Sequence, residues 1–151
     1  MMTIPLFSLT ALAADNSAVL NSLHFDIALQ EDGSARITET RKIVFDGDRE
    51  FTRYGVNNIF TGSRVFSDWQ VSIDGTPVPQ LAEPDNENRP ENTFAVEDGD
   101  GENTVYIYYR QQSSGTRIFQ ISYRVENAVK LYADVGEFFW NQTAETGISG
   151  I

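Results

Sequence analysis

Three of the five Asp-Gly pairs, Asp32-Gly33, Asp74-Gly75 and Asp98-Gly99, each stand between stretches in which apolar and polar residues alternate. Such a pair between alternating runs is the strongest short-range hairpin signal, because both residues tolerate the positive-φ backbone of a tight reversal. Alternation with a period of two describes a strand buried on one face. A chain punctuated in this way is expected to fold as antiparallel β-structure.

The first hairpin is the clearest. From Ser22, the residues Leu23, Phe25, Ile27 and Leu29 point one way and His24, Asp26 and Ala28 the other, which leaves His24 on the more polar face. The return strand, about Ala35 to Phe45, is rich in Ile, Thr and Val. Residues 46–65 are less regular. Phe51, Tyr54, Val56, Ile59 and Phe60 stand among Gly and Asn, and we read a long loop or short strands that tuck aromatics into the core. A third strand, about Arg64 to Ile73, alternates at Trp69, Val71 and Ile73 and turns at Asp74-Gly75 into a short strand, Thr76 to Val78. Gln80 to Asn92 is Pro-, Asn- and Glu-rich with almost nothing apolar, so a mobile surface excursion is expected. Thr93 to Val96 and Thr104 to Arg110 flank the third turn. Gly115 to Val125 pairs next, with Ile118 or Phe119, Ile121 and Tyr123 inside or between sheets. Strands at this spacing, without convincing helical periodicity, indicate an all-β chain folded as an antiparallel β-sandwich, Ig-like or open-barrel-like.

The 151 residues suit one domain, which we place at 22–141. Residues 1–13 form an apolar run ending in Ala11-Leu12-Ala13, a small-x-small pattern that reads as a signal peptide cleaved before Ala14; the alternative is a disordered or first-strand leader in a cytosolic protein. The run has no Lys or Arg and is too short to span a bilayer; a start codon placed too late explains both. Residues 142–151 are Gly-, Thr- and Ser-rich and are expected to be irregular. The leader implies export, either to the extracytoplasmic side of the cell envelope or as a secreted protein.

Composition narrows the function classes. The formal charge is −11, with 22 acidic against 11 basic residues, and repels phosphate backbones, so no nucleic-acid partner is expected. Eight of the acidic residues lie between Glu83 and Glu102 with Arg89 the sole basic residue among them, so that stretch carries −7 and the remainder only −4. Without cysteine and with one histidine there is no disulfide, no thiolate nucleophile and no Cys- or multi-His metal cage. Asp98-Gly99-Asp100-Gly101-Glu102-Asn103 resembles a calcium loop superficially. Its sixth position is Asn103 rather than Gly and its twelfth is Tyr109 rather than Glu, so it reads as a solvated hairpin tip. No nucleophile elbow and no phosphate-binding Gly loop occurs, and no cofactor, metal or catalytic residue is assigned.

Two constellations remain as candidate ligand-binding residues. Tyr106 and Tyr108 share one face of a strand while Tyr109 joins Val105 and Ile107 on the other. An exposed tyrosine pair suits a sugar or peptide platform, although such residues more often close the open side of a sandwich. Glu137, followed by Trp140, sets an acid beside an aromatic. The plainer alternative is a structural Glu paired with an Arg such as Arg124. Glu39, on the second strand, is the other carboxylate in apolar surroundings. These residues define two further functional readings: a carbohydrate-active enzyme using Glu137 or Glu39, and a secreted carbohydrate-binding module resting on Tyr106 and Tyr108.

The stretch Tyr123-Arg124-Val125-Glu126-Asn127-Ala128-Val129, then Asp134, then Glu137-Phe138-Phe139-Trp140-Asn141, resembles the Y-x-[VL]-x-x-A-[VL] … D-x-x-E-[LF]-x-W-N signature of the domain-of-unknown-function family 2207 (DUF2207) of predicted membrane proteins. The opening from Phe25 through Asp32-Gly33-Ser34 to Ile37 and Glu39 is similar to that family's F-x-[VI]-x-[LV]-x-x-D-G-[ST]-x-x-[IV]-x-E. We expect a non-enzymatic domain; the resemblance implies an extracytoplasmic β-sandwich that precedes transmembrane helices, with membrane association through a segment absent from this chain. Its partner is an unidentified protein or glycan. It also implies a further strand or two beyond Trp140-Asn141, so the sandwich is expected either to lack its last strand or to dispense with it. An unpaired sheet edge would be the consequence.

Overall fold

The computed structural model describes residues 2–4, 17–59, 64–131, 135–138 and 146–150, with backbone alone for 2–4, 17, 59, 131 and 146–150. In chain order the strands are β1 (Met2–Ile4), β2 (Ser17–Leu29), β3 (Ala35–Asp46), β4 (Phe51–Ile59), β5 (Val65–Ile73), β6 (Thr76–Val78), β7 (Thr93–Asp98), β8 (Glu102–Gln111), β9 (Gly115–Glu126), β10 (Val129–Leu131), β11 (Gly136–Phe138) and β12 (Thr146–Gly150). They form a six-stranded sheet ordered β1-β2-β3-β9-β5-β6, a four-stranded sheet ordered β12-β4-β8-β7, and the small hairpin β10-β11. All pairings within the sheets are antiparallel, neither sheet closes into a barrel, and the architecture is sandwich-like.

The three Asp-Gly turns fall where the sequence puts them. Asp74 and Gly75 both have positive φ (50° and 83°), as a two-residue reversal joining Ile73 to its partner Thr76 requires. At the first turn Gly33 has φ 79°, and Asp32 accepts from the Ser34 amide (3.0 Å) and hydroxyl (2.6 Å) and from Arg124 (2.7 Å). These bonds hold its carboxyl below the ordinary carboxylate value, the Ser34 hydroxyl contributing most.

The core lies between the two large sheets. β3 turns Ala35, Ile37, Ile43 and Phe45 inward, β9 turns Phe119, Ile121, Tyr123 and Val125, and β8 answers with Val105, Ile107 and Tyr109. Phe119, not Ile118, is the inward residue of β9; Ile118 is 43% exposed. Aromatic rings bridge the sheets, with Tyr54 and Tyr109 both 5.0–5.2 Å from Phe119. A bulge in β5 sets Asp68 and Trp69 against Tyr123 alone, and it lays Trp69 on the Tyr123 ring at 4.7 Å and beside Phe66.

Three expectations are corrected. The irregular stretch 46–65 contains a nine-residue strand, β4. Its alternation is hidden because Phe51 and Tyr54, three apart, both face the core across an irregularity in its pairing, and because Gly55, Asn57 and Asn58 dilute the apolar pattern. Gly115–Glu126 does not pair with the strand before it: β9 crosses to the other sheet and lies between β3 and β5. The end expected to be irregular, 142–151, includes β12, which pairs along β4 from Thr146↔Val56 to Gly150↔Phe51. Thr-Gly-Ile-Ser-Gly has no alternation to reveal it; a partner edge, not propensity, makes it a strand. Of the expected leader, 1–13, only Met2–Ile4 is described, paired with Phe25–Ile27 of β2.

Candidate functional site

Parity along β3 puts Ala35, Ile37, Glu39, Arg41, Ile43 and Phe45 on one face, so a carboxylate and a guanidinium lie in the middle of an inward apolar row. Both are buried, at 0% and 1% exposure. Arg41 donates through Nε to Glu39 Oε2 (2.8 Å), with Nη2 at 2.6 Å, and through Nη1 to the Tyr54 hydroxyl on the opposite sheet (3.2 Å). The Tyr123 hydroxyl donates to Glu39 Oε1 at 2.5 Å. Burial pulls the Arg41 ionisation down, but the Glu39 charge, the Tyr54 hydroxyl and the hydrogen bonds to both together outweigh it, and the net shift is upward. Burial, reinforced by the Glu39 charge, pushes the Tyr123 phenol well above its ordinary value. Glu39 is named by the sequence as a carboxylate in apolar surroundings; Arg41, two positions on, shares its face and is the residue sequence reasoning missed. The signal was available, since opposite charges spaced i, i+2 on an inward face must neutralise one another. The cluster clasps the two sheets together and is closed to solvent.

The second polar region is the outer face of the four-stranded sheet. Tyr106 and Tyr108 do share that face, but they do not form an exposed platform. Tyr108 is fully buried beneath the 80–92 excursion, where its hydroxyl donates to Asn86 Oδ1 at 3.1 Å. The excursion is stitched down by its polar residues instead of lying free in solvent. Arg53 reaches Asn86 at 2.9 Å, Arg89 reaches the Thr52 hydroxyl at 2.7 Å, and Asp85 caps the turn by accepting from Asn88. A segment poor in apolar residues is therefore seated by side-chain hydrogen bonds, which composition alone does not reveal. Tyr106 remains partly exposed, with the Arg53 guanidinium 5.5 Å from its ring and its hydroxyl donating to Glu97 at 3.0 Å. Burial and then the Glu97 bond push its phenol upward.

The remaining predicted site residues separate. Glu137 is exposed on β11, opposite Lys130 of β10, and Arg124 pairs with Asp32 instead of with Glu137. Trp140 lies outside the described residues. His24 is half-exposed at a rim position with Nε2 3.2 Å from Asp26.

The model of the N-terminal domain of the predicted membrane protein family DUF2207 matches residues 19–148. The chain belongs to DUF2207. That match spans both large sheets, from β2 into β12, and agrees with the motifs at either end of the sequence. DUF2207 proteins are predicted membrane proteins, and this chain corresponds to their N-terminal domain. Among the described residues, no helix is long and apolar enough to cross a membrane. Comparison with curated proteins and with solved structures found no match.

Proposed function

We propose that this DUF2207 domain is a non-enzymatic, extracytoplasmic module that makes contacts with protein or glycan at the cell envelope on behalf of a membrane-anchored protein. The observation that carries the reading is the closure of Glu39. The carboxylate best placed by sequence for acid/base work is at 0% exposure, held by Arg41 and Tyr123, where no substrate reaches it. The other candidate, Glu137, stands exposed to solvent on a three-residue strand and, among the described residues, outside any enclosed cleft that would hold a substrate. The outer face of the four-stranded sheet and its covering turn presents accessible polar side chains, among them Arg53, Tyr106 and Glu97, a surface suited to recognition. The apolar run at 1–13 favours export.

Two experiments test the two halves of the reading. Fusing alkaline phosphatase, active only outside the cytoplasm, after residue 148 gives active reporter if the domain is exported; an active cytoplasmic fluorescent reporter with inactive phosphatase overturns that. Incubation with a glycan panel yields no hydrolysis if the domain is non-catalytic. Turnover abolished by Glu137→Gln in a folded variant overturns it.

A further inference from the structure

A cleft lies where the β4–β8 ladder opens. Phe51 pairs with Gln111 and Arg53 with Tyr108, so Thr52 alone faces both Tyr109 and Arg110. The extra residue in β8 interrupts the ladder and bends the strand, as bulges beside binding sites do. Those three residues form one side, the turn residues Glu87, Asn88, Arg89 and Glu91 form the other, and they enclose 290 Å³. That is the small end of ligand pockets, which run from about 300 to 1,000 Å³, and it has room for one ring and not an extended chain.

Several features hold the walls in place. Arg89 has φ 47°, a left-handed conformation that a long side chain rarely adopts, immediately before Pro90. Its Nη1 donates to Thr52 Oγ1 (2.7 Å) and its Nε to the Asn86 carbonyl (3.1 Å). Arg110 Nε lies 2.6 Å from Glu91 and 3.2 Å from Glu50. Among the described residues, Arg89 Nη2 and the two terminal nitrogens of Arg110 make no hydrogen bond, so donors remain to spare.

The chemistry of the lining selects the ligand. Two guanidinium groups face two carboxylates, Glu87 and Glu91, so the formal charge of the lining is zero. An anion would compete with those carboxylates for Arg110, and a cation would compete with Arg110 for them. A hydroxyl both donates and accepts, and neighbouring hydroxyls can satisfy guanidinium donors and carboxylate acceptors together. We propose that the cleft binds a neutral polyhydroxylated ligand, a single sugar ring of a glycan. This rests on the reading of the domain as a contact module and names the ligand class it would take.

The test is a titration of the isotope-labelled chain, followed by amide chemical shifts, with methyl glucoside, methyl galactoside, methyl mannoside and N-acetylglucosamine. Sodium acetate and ethanolamine serve as anionic and cationic probes. At least one sugar should saturably shift the amides of Thr52, Asn88, Arg89 and Arg110. Arg110→Gln, whose side chain is half exposed and outside the core, should weaken that binding roughly tenfold or more while the remaining spectrum is kept. Thr52→Val, which exchanges the hydroxyl for a methyl and releases Arg89 Nη1, provides a second variant. The proposal is overturned if no sugar moves these amides, if acetate or ethanolamine moves them and sugars do not, or if both variants bind as well as the parent. The reporter fusion is read separately. A failed titration leaves the export result standing, and a chain that binds sugar but is not exported loses the envelope reading while keeping the cleft.

Discussion

Glu39 and Arg41 show how much a single pair of side chains can constrain. Taking two charges out of water costs several kcal/mol each, and their mutual attraction with the Tyr54 and Tyr123 hydroxyls offsets this only while all four groups stay in place. Removing one partner strands the other. Glu39→Gln and Arg41→Met should each destabilise the fold by about 3–5 kcal/mol, and the double variant should cost clearly less than the sum. Urea titration of the three variants checks this; additive losses would mean the pair is not coupled. Tyr123 adds a pH dependence. Its folded-state ionisation lies above the ordinary value of 10.0, so its contribution is complete below that pH and is lost as the pH rises beyond it. Tyr123→Phe should lose about 1.5–3 kcal/mol near neutrality, the worth of a hydrogen bond to a charged group. It should also show a shallower alkaline fall in stability than the parent. Equal slopes in the two melts against pH would remove Tyr123 from that role.

Elements were legible in the sequence to the extent that their information is local. The hairpins at Asp32-Gly33, Asp74-Gly75 and Asp98-Gly99 could be read because turn chemistry and a period of two agree within a few residues. What β4 and β12 are could not be read, because an irregular ladder disrupts the period of one and the other is a strand only by virtue of its partner's edge. The crossing of β9 between β3 and β5 is equally invisible. It depends on residues some 80 positions apart, such as Thr38 and Ser122, whose hydroxyls meet at 2.8 Å. The site was legible in part. Glu39 and the shared face of the two tyrosines came from parity, whereas Tyr108's cover and the cleft arise from a polar loop whose docking no local pattern encodes. The first turn yields a prediction at this scale. The folded-state carboxyl of Asp32 lies below its ordinary value of 3.8, so the turn's stabilisation is present above that value and lost as the pH falls through the folded one. Asp32→Ala should therefore lower the melting temperature at neutral pH and flatten the acid limb of its pH dependence, and an unchanged acid limb would count against this role.

At the scale of the whole molecule the acidity and the core are segregated. Most of the excess negative charge belongs to the 83–102 segment, whose turn and hairpin tip are largely solvent-facing, so the charge that argues against nucleic acid says little about what holds the sheets together. What holds them is shared: β8, central to one sheet, and β9, central to the other, are joined by residues 112–114 alone, and the Arg41–Tyr54 bond and the Phe119 ring contacts cross the interface. Neither sheet has an apolar face that it could leave exposed, since each buries Ile, Phe and Tyr against the other. The two should therefore unfold as one unit. Trp69, packed on Tyr123 in the six-stranded sheet, and tyrosine near-ultraviolet signals from Tyr54 and Tyr109 at the interface provide probes of different regions. Their urea transitions should coincide with the loss of strand signal in the far ultraviolet. Refolding should be slow, in the millisecond-to-second range of non-local β-topologies, because the pairing of β3 with β9 must close a long loop before it is rewarded. Separated midpoints would show that the sheets melt independently and that the inter-sheet clasp contributes little to cooperativity.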